Sequence, residues 1–246
     1  MRLTVLGSGG WIPTGERETC CALVEDGDRA LLIDAGSGVR HLVADPDLLR
    51  GRRELSVLLT HFHGDHTVGI SYLPALGLDR VAIHGAGAAL YGVPTREILE
   101  RVYTHPQAAF DLAEVASEVH DVDLGLTEPG GIPIELRRQD MHPDPTLGVR
   151  IGDRYAWCTD TGADPETASF ARGVAVLFHD MWALDVERPV GHASGAECGQ
   201  LADAAGAGML VGIHLSPLPA VDHERIRAEA AARFAAASLS SDHAVY

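Results

Sequence analysis

Thr60-His61-Phe62-His63-Gly64-Asp65-His66 directly follows the apolar run Leu55-Ser56-Val57-Leu58-Leu59. A short apolar run bounded by a turn reads as a buried strand. A strand ending in such a cluster delivers its side chains at a strand-to-helix turn, where the backbone can aim several of them at one spot. Three imidazoles and a carboxylate in that arrangement suit zinc and its first-row neighbours, whereas a calcium site would be nearly all oxygen. The plainer reading, a solvated His-rich loop, does not account for this order and spacing.

His61-x-His63-x-Asp65-His66 resembles the signature of the metallo-β-lactamase-fold hydrolases. The resemblance implies that His61 and His63 bind one metal while Asp65 and His66 bind a second. It also implies further ligands downstream, and the chain fills each expected position in order. His142, in Asp140-Met141-His142-Pro143, follows a strand and resembles the lone His that completes the first metal site. The following Gly148-Val149-Arg150 resembles the ribonuclease Z-like branch. Asp160, in Thr159-Asp160-Thr161-Gly162, resembles the family's metal-bridging Asp, and Cys158, two residues earlier on the same strand face, reads as packing. His214 ends the apolar strand Met209-Leu210-Val211-Gly212-Ile213 and resembles the last ligand. Asp34, in Asp34-Ala35-Gly36, matches an Asp that supports the metal loop from behind, although a turn-forming Asp before a small residue reads equally well.

Two pieces sharpen the branch. Phe178-His179-Asp180 ends a buried-type strand where ribonuclease Z-like enzymes carry His-Glu, so Asp180 is a shortened version and His179 a candidate catalytic residue. His192 precedes Ser194-x-x-Glu197, a capping box that starts a helix, and matches a His thought to help the leaving group. The implied fold is α+β, a four-layer αββα sandwich with the metals at one edge between its sheets. Composition and spacing alone show only a mixed α and β chain.

The chain has 246 residues, 46% of them hydrophobic and 22% charged, enough for a large core. No composition break or repeat divides it, so a single domain over residues 1–246 is expected. The formal net charge of −16 argues against a nucleic-acid or anionic-membrane surface. No run approaches the ~20 apolar residues of a membrane span. The start lacks an apolar signal-peptide region, and Cys20, Cys21, Cys158 and Cys198 form no CxxC, as in a cytoplasmic protein with free thiols. Gly7-Ser8-Gly9-Gly10 follows the first strand, but no helix continues from it, and dinucleotide binding is set aside.

The expected elements are a hairpin from Ala22–Glu25 and Ala30–Ile33, and helices over Val39–Leu49, Thr67–Leu73 and much of Pro94–Val119. A last helix is expected over Glu224–Ala237.

The expected chemistry is that of a dinuclear hydrolase. Two zinc ions, with manganese, iron or nickel left open, would supply a bridging hydroxide; Asp65 would orient it and His192 would serve the leaving oxygen. The branch suggests phosphodiester cleavage. Only 17 residues separate His142 from Asp160, which leaves no room for a tRNA-binding arm, so tRNA is not expected. A small-molecule phosphodiester leads. Carboxylic esters, lactones or thioesters follow, with Trp11, Tyr72, Tyr103 or Trp182 lining an apolar pocket. A non-catalytic metal-binding or regulatory protein, and a homodimer, stay open.

Overall fold

The computed structural model describes residues 1–187 and 190–246. Its first sheet runs β1 (Arg2–Gly7), β2 (Cys21–Asp26), β3 (Arg29–Ile33), β4 (Glu54–Leu59), β5 (Arg80–Gly85) and β6 (Glu118–Asp121), in that order. The second contains β7 (Gly125–Thr127), β8 (Ile134–Gln139), β9 (Thr146–Ile151), β10 (Tyr155–Cys158), β11 (Val176–Asp180), β12 (Met209–Ile213) and β13 (Ala237–Leu239). The expected hairpin is β2–β3, antiparallel with Asp26 opposite Arg29.

Alternation along the strands writes the layers. Ala22 and Val24 of β2, Leu58 of β4, and Tyr155 and Trp157 of β10 meet in one core between the sheets. Their neighbours face the other way: Cys21, Leu23, Val57 and Leu59 pack beneath the helices of the first half. Ala156, Cys158 and Leu177 pack beneath those of the second. Three apolar seams separate four layers, an αββα sandwich. Successive strand residues point to opposite faces, so strands buried on both sides must be apolar throughout. Trp157, Tyr155 and Phe178 are the largest fully buried side chains, each stabilising the fold by roughly 1.5–3 kcal/mol through burial.

Several elements differ from expectation. Pro74 does not end the helix after the motif. The chain runs through it as a 3-10 helix over Val68–Leu76, a form that leaves fewer amides to satisfy, and stops at Gly77 in the left-handed region. The segment expected to be mostly helical holds only the short helices Thr95–Glu100 and Leu112–Val115, and Val119 belongs to β6. Asp45-Pro46 likewise splits Val39–Leu49 into the helix Arg40–Ala44 and a 3-10 turn. The last helix is His223–Ala231, and Ala237 has joined the second sheet as β13. The tail then crosses back to β1, with the Leu3 amide donating to the Tyr246 carbonyl.

Candidate metal centre

Parallel strands β4, β10, β11 and β12 end at one edge of the sandwich, and the residues just past them converge there. β4 delivers His61 and leads into the turn that carries His63, Asp65 and His66. β10 delivers Asp160, β11 ends in Asp180, β12 delivers His214, and the β8–β9 connection carries His142. Backbone strain is concentrated here. Trp11, Asp34, Asp160 and His214 all adopt left-handed conformations, with φ of 63°, 59°, 48° and 52°. Such residues cost on the order of 1–3 kcal/mol each and persist only where their surroundings hold them.

The donors form two neighbouring groups that share one carboxylate. His63 and His142 meet Asp160 on one side, and Asp65, His66 and His214 meet on the other. Asp160 lies between, with Oδ1 3.8 Å from His61 Nε2 and 3.3 Å from His214 Nε2, and Oδ2 3.0 Å from His66 Nε2. Asp65 Oδ2 lies 3.3 Å from His214 Nε2.

Each ring is oriented from outside. His66 donates through Nδ1 to buried Asp34 (2.9 Å), and Asp34 also accepts from the Thr60 amide (2.7 Å). Of the two readings left open for Asp34, these bonds match support of the loop that carries His66, while its φ of 59° also turns the chain. His142 Nδ1 donates to the Asp144 carbonyl (3.0 Å), and His214 Nδ1 lies 3.4 Å from Asp180 Oδ2. His63 is turned the opposite way: its Nε2 meets Asp144 Oδ2 at 3.0 Å, leaving Nδ1 for the centre. Partners of this kind fix tautomer and ring orientation in metal-binding histidines. Gly10 lies flat against His214, where a Cβ would stand 2.4 Å from the ring.

Burial and charge set the protonation. Burial holds the His61 pKa far below its ordinary value, keeping the ring a neutral donor. Burial also opposes charge on His66 and His214, yet neighbouring carboxylates prevail: His66 is raised well up by Asp160, Asp34 and Asp65, and His214 is pushed up to about 10. Asp160 stays ionised despite its burial because His214, His66 and His61 surround it. The site therefore calls for positive charge among fixed nitrogen and oxygen donors. His61 Nε2 is buried with no hydrogen-bond partner and faces that centre. An orphaned imidazole nitrogen beside carboxylates is what a zinc-type cation would satisfy, so the donor set fits.

His192 stands beside the centre, its Nδ1 2.7 Å from Asp180 Oδ2. Trp182 stacks on it at 4.4 Å and on His214 at 5.3 Å. Burial would lower the His192 pKa, but Asp180 outweighs it and raises the value. His179 is corrected: it is fully buried on the opposite face of β11, against Cys198 (3.6 Å) and the Asp180 carbonyl (2.8 Å). Strand alternation turns it into the outer seam while Asp180 faces the centre. Asp180 is the residue that sequence reasoning underrated, its signal being the His-Asp variant itself. Cys158 packs in the outer seam as expected, though not on the face of Asp160, because the left-handed turn at Asp160 reverses the alternation.

The beta-lactamase superfamily domain matches residues 29–215, and the chain belongs to that family of metal-dependent hydrolases. It is 28% identical to a ribonuclease Z of Halorubrum lacusprofundi, over 98% of this chain and 95% of that protein. Among solved structures, the metallo-beta-lactamase fold protein YhfI from Bacillus subtilis superposes with a TM-score of 0.78 at 21% identity, covering 100% of this chain and 98% of that one. A diphosphatase from the PhnP family gives 0.75 at 21% identity, covering 100% and 96%. The two structures share the fold. No helix among the described residues is long and apolar enough to cross a membrane.

Proposed function

We propose that this protein is a dinuclear hydrolase of small phosphodiesters. His61, His63 and His142 would hold one zinc ion; Asp65, His66 and His214 the other, with Asp160 shared. Bound metals would supply an activated water and Lewis-acid stabilisation of charge developing on the phosphoryl oxygens. The chain's own residues do the rest. Asp65 holds its carboxylate at the centre and accepts from the Trp11 amide at 2.7 Å. His192, kept protonated by Asp180, gives its proton to the departing oxygen. Asp180 holds that imidazole in place and fixes which nitrogen points outward.

The observation that carries the reading is the His192–Asp180 pair at 2.7 Å beside the shared-carboxylate cluster. Relatives named ribonuclease Z support phosphodiester chemistry and weigh toward an RNA substrate. Two features of this chain weigh toward a small one. The β8–β9 register closes at Gln139 opposite Thr146, so no arm projects there. The 19 basic residues, all arginine, face 35 acidic ones, a poor surface for a polyanion.

The test is hydrolysis by zinc-loaded protein of bis(p-nitrophenyl) phosphate, acyl thioesters, lactones and a precursor tRNA, alongside Asp65→Ala. Diester turnover that Asp65→Ala abolishes, with the precursor uncut, is the expected result. Cleavage of the precursor, or turnover of acyl substrates alone, would overturn the substrate assignment.

A further inference from the structure

A cleft of about 900 Å³ opens beside the metal centre, with Asp65 and His63 at its metal end. They are the only acidic or basic side chains among its described lining residues. Trp11, Ile12, Val68 and Val102 line it and remain 58%, 48%, 39% and 55% exposed. Exposed apolar side chains gathered beside a catalytic site, with few polar groups, are the signature of a ligand-binding surface.

Its hydroxyl groups are already committed. The hydroxyls of Thr19, Thr67 and Ser71 donate to the carbonyls of Asp65, His63 and Val68 (2.7, 2.9 and 2.8 Å). Apart from the Gln107 amide, little is left to read the edges of a base or a sugar. Trp11 adds an independent observation. A bulky residue with φ of 63° is an outlier, and here the Asp65 carboxylate pins the Trp11 amide at 2.7 Å. The indole is thus held over the cleft by a side chain of the metal centre itself.

We propose that this cleft is the specificity subsite, and that the substrate carries an uncharged alkyl or aryl arm seated against Trp11 and Val102. The proposal rests on the hydrolytic reading of the centre. The arm enters from the Asp65 side, which places the ester bond among the donors and leaves His192, across the centre, to serve the departing group.

The test uses full-length zinc-loaded protein and p-nitrophenyl phosphodiesters whose second arm is methyl, hexyl or phenyl, so the leaving group is constant. The expected kcat/KM rises roughly tenfold to a hundredfold from methyl to hexyl or phenyl. That ratio collapses toward one in Trp11→Ala and in Val102→Glu, which change different elements. Acetyl and hexanoyl thioesters form a parallel series. A ratio near one in the wild type, or a preference that survives both variants, overturns the subsite. So does loss of a dimer in sedimentation with the ratio unchanged, which would make the patch a subunit interface. Should no ester turn over, the hydrolytic reading fails, and binding still decides the subsite through tryptophan fluorescence. Phenylphosphonate binding at least tenfold tighter than methylphosphonate, and lost in both variants, supports it; equal binding overturns it.

Discussion

Asp180 sits fully buried at the end of β11, with His192 2.7 Å away and His214 3.4 Å away. Burial alone would favour its neutral acid, but the two imidazoles keep it ionised. Asp180→Asn keeps the shape and removes the charge. We predict a kcat about 10²- to 10³-fold lower, with KM changed far less. Loss of the carboxylate lowers the His192 pKa, so the protonated donor disappears at lower pH, and the alkaline limb of the kcat profile should move to lower pH. A profile unmoved in position would contradict the role. This residue was only half legible in sequence. His179-Asp180 reads as two adjacent candidates, but neighbours on a strand point to opposite faces, so only one of them can reach the centre.

Two helices approach closely where Gly195–Ala205 crosses His223–Ala231. Gly195 and Gly199 form that contact: a Cβ would stand 2.1 Å from the Ile226 carbonyl oxygen and 2.5 Å from that of Ala230. The Ser194–Glu197 capping box starts the first helix in register with this crossing, next to His192. Gly199→Val should therefore destabilise the protein by about 1–3 kcal/mol, lowering Tm by roughly 2–4 °C per kcal/mol in a thermal melt. A melt within a degree of wild type would show that the helices can separate without cost. The cap was legible because it depends on residues three apart. The glycine contact was not, because a close approach depends on a partner 31 positions further on in the chain. The same limit explains the short helices between Pro94 and Val119. Local composition there is helical, but pairing of β6 with β5 claims its end.

At the scale of the whole molecule, folding gathers Asp34, Asp65, Asp160 and Asp180 around one centre in a chain of net charge −16. Such a gathering sets carboxylate repulsion against stability, and a cation bound only in the folded state offsets it. Zinc at a thousandfold excess over Kd should stabilise the fold by about 4 kcal/mol, seen as a higher Tm that chelation reverses. Zinc affinity should fall as pH falls, because ligating imidazoles must give up their protons. A Tm indifferent to zinc and chelator alike would sink the metal assignment.

The sequence by itself determined the family, the strand-end positions of His61, His142, Asp160 and His214, and a mixed α and β chain with the β2–β3 hairpin. All of these are written in spacing along the chain. Only the tertiary structure decided that Asp180 rather than His179 faces the centre, that His63 presents its other nitrogen, and that Trp11 stands pinned above an apolar cleft. Those outcomes depend on groups distant in sequence, Asp144 with His63 and Asp65 with Trp11. Their contact is settled by how two sheets pack, a consequence of the whole core that no local spacing carries.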